Sequence, residues 1–184
     1  DHNLADARLL AGMLQALHGQ PQPTIARVQG AAFGGAVGLV SCCDMAVAGE
    51  GAGFCRSEVK IGLIPATISP YVIRAMGERA ARRYFTTAER FDAATALRLG
   101  LVSEVVADEE LDTGVEQLID TLLQNGPRAV RAAKRLVADV AGRDIDGALV
   151  GETCERIARI RVSEEGQEGL GAFLNKRKPG WLED

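Results

Sequence analysis

The sequence is poor in the residues that build metal and cofactor sites. Two histidines and four cysteines (Cys42, Cys43, Cys55 and Cys154) are spread over 184 residues, and no cysteine spacing matches a metal-ligand motif. Free thiols in a reducing, cytoplasmic compartment are the simplest account, and no metal is expected. Neither GxGxxG nor GxxxxGK[ST] occurs, which argues against the usual phosphate loops. No apolar run approaches the roughly 18 residues of a membrane span, so no membrane partner is expected. No signal peptide is visible, but the chain begins at Asp1 without a methionine, and its true start is expected upstream. A formal charge of −4 leaves no basic footprint for nucleic acid. No repeat, low-complexity run or linker marks off a second independent domain.

What is present is glycine in an unusual place. With 47% apolar and 25% charged residues, the chain can bury a sizeable core. Gly30, Gly34, Gly35 and Gly38 fall within nine residues, where the β-rich run Thr24 to Val28 gives way to small apolar residues suited to a buried helix. An interior helical glycine loses roughly 1 kcal/mol relative to alanine. The cluster therefore points to positive φ, or to close approach of another backbone or a ligand. Read as strand, Gly-rich turn and helix N-terminus, the segment stabilises negative charge, and without a phosphate motif an oxyanion fits better. A tight helix crossing that needs small side chains is the alternative. Glu58 lies just downstream, the one acid among Phe54, Cys55, Val59 and Ile61. Its structural alternative is an ion pair with Lys60 or an upstream arginine.

Periodicity supplies the scaffold. Leu10, Met13, Leu14 and Leu17 form a core-facing helical stripe, ended by Gly19, Pro21 and Pro23. Thr24–Val28 and Met45–Ala48 read as parallel strands around a short apolar helix, and Gly49–Thr67 as loop plus a brief strand carrying Glu58. Ser69 and Pro70 read as N-cap and first residue of a helix ending at Gly77. Glu78–Phe85 follows, then Asp92 caps Ala93–Leu99, which Gly100 closes. Leu101–Val106 is extended. Beyond Asp108 the chain is helical: Leu111–Leu123, the basic helix Arg128–Val140, Ile145–Val162, and a last helix from Ser163 to about Leu174. Arg128, Arg131, Lys134 and Arg135 read first as a solvated face. The core is assigned to residues 1–107 and the helical region to 108–184.

The stretches ARVQGAAFGGAVGL, CDMAVA, FCRSEVKIGLIP, RFDAATALRLGLVSEVV and EGLGAFLNKRKPGW, in that order, resemble the enoyl-CoA hydratase/isomerase (crotonase) superfamily over nearly the whole chain. The resemblance implies an α/β fold, a spiral of ββα turns with a helical C-terminal region that trimerises, and a homotrimer or dimer of trimers. It implies an acyl-CoA substrate, with coenzyme A as part of the substrate and no separate cofactor. Glu58 is then the carboxylate facing the α and β carbons of the thioester, and the Gly35 amide is one of two oxyanion donors. Gly34, Gly38 and Pro65 belong to the substrate-binding set. Phe173 and Lys176 are expected to help hold the nucleotide end of coenzyme A on a neighbouring subunit.

Two departures from the family pattern matter. The best-known hydratases carry a second glutamate where this chain has Gly38, so Glu58 must serve alone or with an upstream group. The family's N-terminal strands and CAGAD-like turn, source of the other oxyanion amide, are absent from the sequence, and upstream residues are expected to supply them. The wording AAFGGAVGLVSCCDMA with SEVKIGL and TISPYVIRA is most similar to hydratases of methylglutaconyl-CoA or isohexenylglutaconyl-CoA in leucine and acyclic terpene catabolism. A Δ3-Δ2 enoyl-CoA isomerase and a non-catalytic acyl-CoA binding module are the alternatives.

Overall fold

The computed structural model describes residues 2–182, in two compact units, Asp1–Gln117 and Leu118–Asp184. In the first, helix α1 (His2–His18) precedes two successive strand–strand–helix turns. These are β1 (Ile25–Val28), β2 (Ala31–Phe33) and α2 (Gly35–Cys42), then β3 (Met45–Gly49), β4 (Gly53–Cys55) and α3 (Ser69–Met76). Helix α4 (Glu78–Thr87), β5 (Phe91–Asp92), α5 (Ala93–Leu99) and β6 (Glu104–Val106) follow, and the boundary between the units falls within α6 (Leu111–Leu123).

The first strand of each turn enters one sheet and the second enters another. One sheet runs β1-β3-β6 and the other β2-β4-β5. Ile25 pairs with Met45 and Ala31 with Gly53, both in parallel, so one turn of chain is stacked on the next as in a spiral. Strand β5 joins antiparallel to β4. Strand β2 lies where the sequence predicts only a turn between β1 and α2. Ala31 and Ala32 carry little strand preference of their own. Their conformation comes from pairing with β4, extended by Gly53 N–H to Gly30 C=O at 3.0 Å and Gly34 N–H to Cys55 C=O at 2.9 Å. Gly30, at φ 66°, lets the chain leave one sheet for the other.

Between the sheets and helices lies an apolar core containing Val37, Phe54, Ile68 and Val72. Phe91 stacks on Phe54 at 5.5 Å and meets Tyr84 at 4.4 Å. The α1 stripe is only partly buried: Leu14 is enclosed and Leu17 packs against the core, but Leu10 and Met13 are exposed. The cap of α5 is as expected, with Asp92 Oδ1 accepting from Thr95 N–H at 2.8 Å and Gly100 closing the helix at φ 82°. At α3 the cap shifts by one residue. Ile68 is the N-cap, and the Ser69 hydroxyl, already in the first turn, donates to the Ala66 carbonyl at 2.8 Å.

The second unit is helical, with α7 (Pro127–Val140), α8 (Gly147–Arg161) and α9 (Glu164–Leu174). Glu165 caps α7 by accepting from the Arg128 and Ala129 amides at 2.9 and 2.7 Å. The solvated reading of the basic helix holds for Arg135, paired with Asp139 at 2.9 Å, and for Arg128, 3.7 Å from Glu164. Arg156 also pairs with Asp139, at 2.8 Å. These arginines hold the Asp139 carboxyl below the usual range, Arg156 most strongly.

The C-terminal tail folds back on α9. Arg177 donates to both Glu168 oxygens, at 2.6 and 2.8 Å, and the Gly180 amide adds a third bond at 2.8 Å. Trp181, the only tryptophan, donates to the Gln124 carbonyl at 3.2 Å, and a Cβ at Gly169 would lie 3.0 Å from its ring. Arg177, and secondarily the Gly180 amide, hold the Glu168 carboxyl down to about 2 from an ordinary 4.5. A depressed carboxyl contributes stability that is present above its unfolded value and lost as pH falls through the folded one. Trp181 emission should therefore shift to the red as pH falls from 4.5 towards 2, and Glu168→Gln should show the shifted emission already at neutral pH. Unchanged emission in that variant would show that Glu168 does not hold the tail.

Candidate active site

The site grows from the junction of β2 and α2. Gly34 has φ 54° and ψ −123°, a backbone region essentially reserved for glycine. Its amide is fixed on Cys55, and its carbonyl accepts from Val37 N–H at 3.1 Å, so the turn is held from both sides. Gly35 is the first residue of α2. Its N–H therefore has no acceptor within the helix and stands at the positive end of the helix dipole.

Glu58 comes to this turn from β4. Chain direction changes after Cys55, and Glu58 opens a 3₁₀ turn, Glu58–Ile61, closed by Gly62 at φ 76°. The sequence reading placed the acid in or beside a brief apolar strand; it sits on the turn beyond it. The Glu58 carbonyl accepts from Leu63 N–H at 3.0 Å, which fixes the backbone beneath the side chain. A Cβ on Gly34 would lie 3.5 Å from Glu58 Oε1, so the carboxylate reaches to the glycine turn. Oε2 is buried and has no hydrogen-bond partner. The ion-pair alternative with Lys60 or an upstream arginine is not met among the described residues.

The other residues divide. Gly38 is buried on α2, and a Cβ there would collide with the Ile68 side chain. Its smallness is needed for the approach of α3 to α2, so the tight-crossing reading of the glycines holds at this position. Ile68 takes the room a larger side chain would need. Pro65 is buried in the segment after the Glu58 turn. Phe173 is 81% exposed and Lys176 is exposed with φ 53°; both belong to the second unit.

Sequence reasoning passed over Arg56. It is the one buried charged side chain among the described residues, at 0% exposure. Its Nη2 lies 3.0 Å from Met76 Sδ, its guanidinium carbon 5.1 Å from the Phe85 centroid, and Nε and Nη1 have no partner. Burial pulls its pKa down to about 10, against the attraction of Glu58. Strand alternation does not mark it out, because Phe54, Cys55 and Arg56 are buried in succession and β4 ends at Cys55.

The strand–strand–helix turns thus bring a helix-start amide at Gly35 and a carboxylate with an unpartnered oxygen at Glu58 to one turn of the chain. The enoyl-CoA hydratase/isomerase family description matches residues 7–184, and the chain belongs to that family, with its crotonase fold. It is 34% identical over 162 residues to a crotonyl-CoA hydratase of Syntrophomonas wolfei, covering 88% of this chain and 62% of the relative. It is 32% identical over 158 residues to a short-chain-enoyl-CoA hydratase of Clostridium acetobutylicum, covering 85% and 60%. The crystal structure of an enoyl-CoA hydratase from Shewanella pealeana superposes with a TM-score of 0.93 at 56% identity, covering 98% of this chain and 67% of that one. The chain thus spans 62% and 60% of the length of the two curated relatives.

Proposed function

We propose that the protein is a hydro-lyase that reversibly adds water to a 2-enoyl-CoA thioester. The observation that carries this reading is the buried, unpartnered oxygen of Glu58 beside the Gly34–Gly35 turn. Water attack at Cβ drives electron density onto the thioester oxygen, for which the Gly35 amide, at the start of α2, is the proposed donor. One such donor is typically worth roughly 2.7–4 kcal/mol of barrier. Glu58 takes the proton from water and returns one to Cα. With Ile68 in the space beside Gly38, no second carboxylate enters from α2. The acyl group is proposed to be of the glutaconyl type, with a distal carboxylate, on the likeness of the segment around Glu58 to hydratases of leucine and terpene breakdown.

The full protein is proposed to assemble as a trimer or a pair of trimers, with Phe173 and Lys176 against a neighbour's coenzyme A. Exposed Val137, Ile157, Val162, Phe173 and Leu174 on the second unit support an assembly surface. The test of activity uses methylglutaconyl-CoA in labelled water. Loss of the enoyl-thioester absorbance with one labelled oxygen taken up is the expected result. Double-bond migration without label would make the protein an isomerase, and binding without turnover would make it a binding module.

A further inference from the structure

Arg56 is the feature that the fold does not explain. It stands two residues before Glu58, enclosed at 0% exposure, and meets a thioether and an aromatic face instead of a carboxylate. A guanidinium taken out of water without an anion is costly, and sulfur and ring contacts offset only part of that cost. For packing alone, an unbranched apolar side chain against Met76 and Phe85 would serve better. The acid nearest to it along the chain is Glu58, two residues on, whose charge attracts the guanidinium. No hydrogen bond joins them: Nε and Nη1 of the arginine and Oε2 of the glutamate are all buried and all unpartnered. Attraction through such an interior is weakly screened.

We propose that Arg56 is a positioning residue for the reaction at Glu58: a fixed buried positive charge that orients the carboxylate by through-space attraction. The proposal rests on the hydratase reading above. The cation and the acid belong to the same short segment, with one intervening residue, Ser57.

The experiment compares full-length wild type, Arg56→Met and Arg56→Lys with crotonyl-CoA and methylglutaconyl-CoA, measuring kcat, KM and Tm. Arg56→Met should keep or raise Tm, because an apolar chain replaces an unpaired buried charge. Its KM should stay within about twofold of wild type, while kcat falls about tenfold. Arg56→Lys should recover several-fold in kcat over methionine. A methionine variant with wild-type kcat would overturn the proposal, as would one whose lost rate is accompanied by a lowered Tm and is not restored by lysine. If the methionine variant fails to fold, Arg56→Gln replaces it: lysine well above glutamine in kcat at similar Tm supports the proposal, and equal rates overturn it. Absence of wild-type turnover on both thioesters would instead remove the hydratase reading itself.

Discussion

Glu58→Gln is expected to leave a folded protein that binds the coenzyme A thioester but turns it over at least about 10² times more slowly. The amide keeps the shape of the carboxylate and its reach over Gly34, where a Cβ would lie 3.5 Å from Oε1, but it has no basicity. Stability should change little, since Oε2 has no partner to lose and the backbone beneath is held by the Leu63 amide. Steady-state kinetics with a binding titration on the full-length protein decide it. Near wild-type turnover would make Glu58 a structural residue and remove the mechanism.

Gly38→Glu tests the second large effect, the claim that the chain has no room for another carboxylate. Introducing this acid should not create a second catalytic group. It should destabilise the protein, because a Cβ at that position already collides with Ile68. Overpacking a core costs typically 1–3 kcal/mol, and an unpaired carboxylate driven into it costs several more, on the order of 3–5 kcal/mol. Even Gly38→Ala should lower Tm by roughly 2–8 °C, and Gly38→Ala with Ile68→Ala should destabilise by less than the sum of the single changes. Thermal denaturation measures this. A Gly38→Ala protein as stable as wild type would show that Ile68 moves aside freely and that Gly38 is not a packing residue.

Local chemistry made part of this legible in advance. Asp92 and Gly100 announce the two ends of α5 because a cap side chain and a left-handed glycine act within a few residues of sequence. Gly34 could be picked out for the same reason, since a φ of 54° is a demand on one residue. Glu58 was recognisable as a lone acid among apolar neighbours, though not as the start of a 3₁₀ turn. Strand β2 was hidden because Ala31 and Ala32 become a strand only through pairing with β4, and the partner of Ala32 is Phe54. The contact between Gly38 and Ile68 spans a similar stretch of chain, so the side chain for which the glycine makes room was not legible from its neighbours in sequence. Arg56 was missed for a different reason. A buried, unpaired guanidinium runs against expectation, and only the packing of Met76 and Phe85 around it reveals its burial.

The central claim is that one carboxylate both activates water and returns the proton to Cα, and proton exchange tests it most directly. The hydrated product, a 3-hydroxyacyl-CoA, is incubated with the full-length protein in deuterium oxide, and label at Cα is followed beside the rate of hydration. In the wild type, deuterium should enter Cα. In Glu58→Gln, exchange and hydration should fall together, each by about 10² or more. Exchange at Cα that survives at the wild-type rate while hydration is lost would show that another group moves that proton, and would contradict the single-carboxylate account.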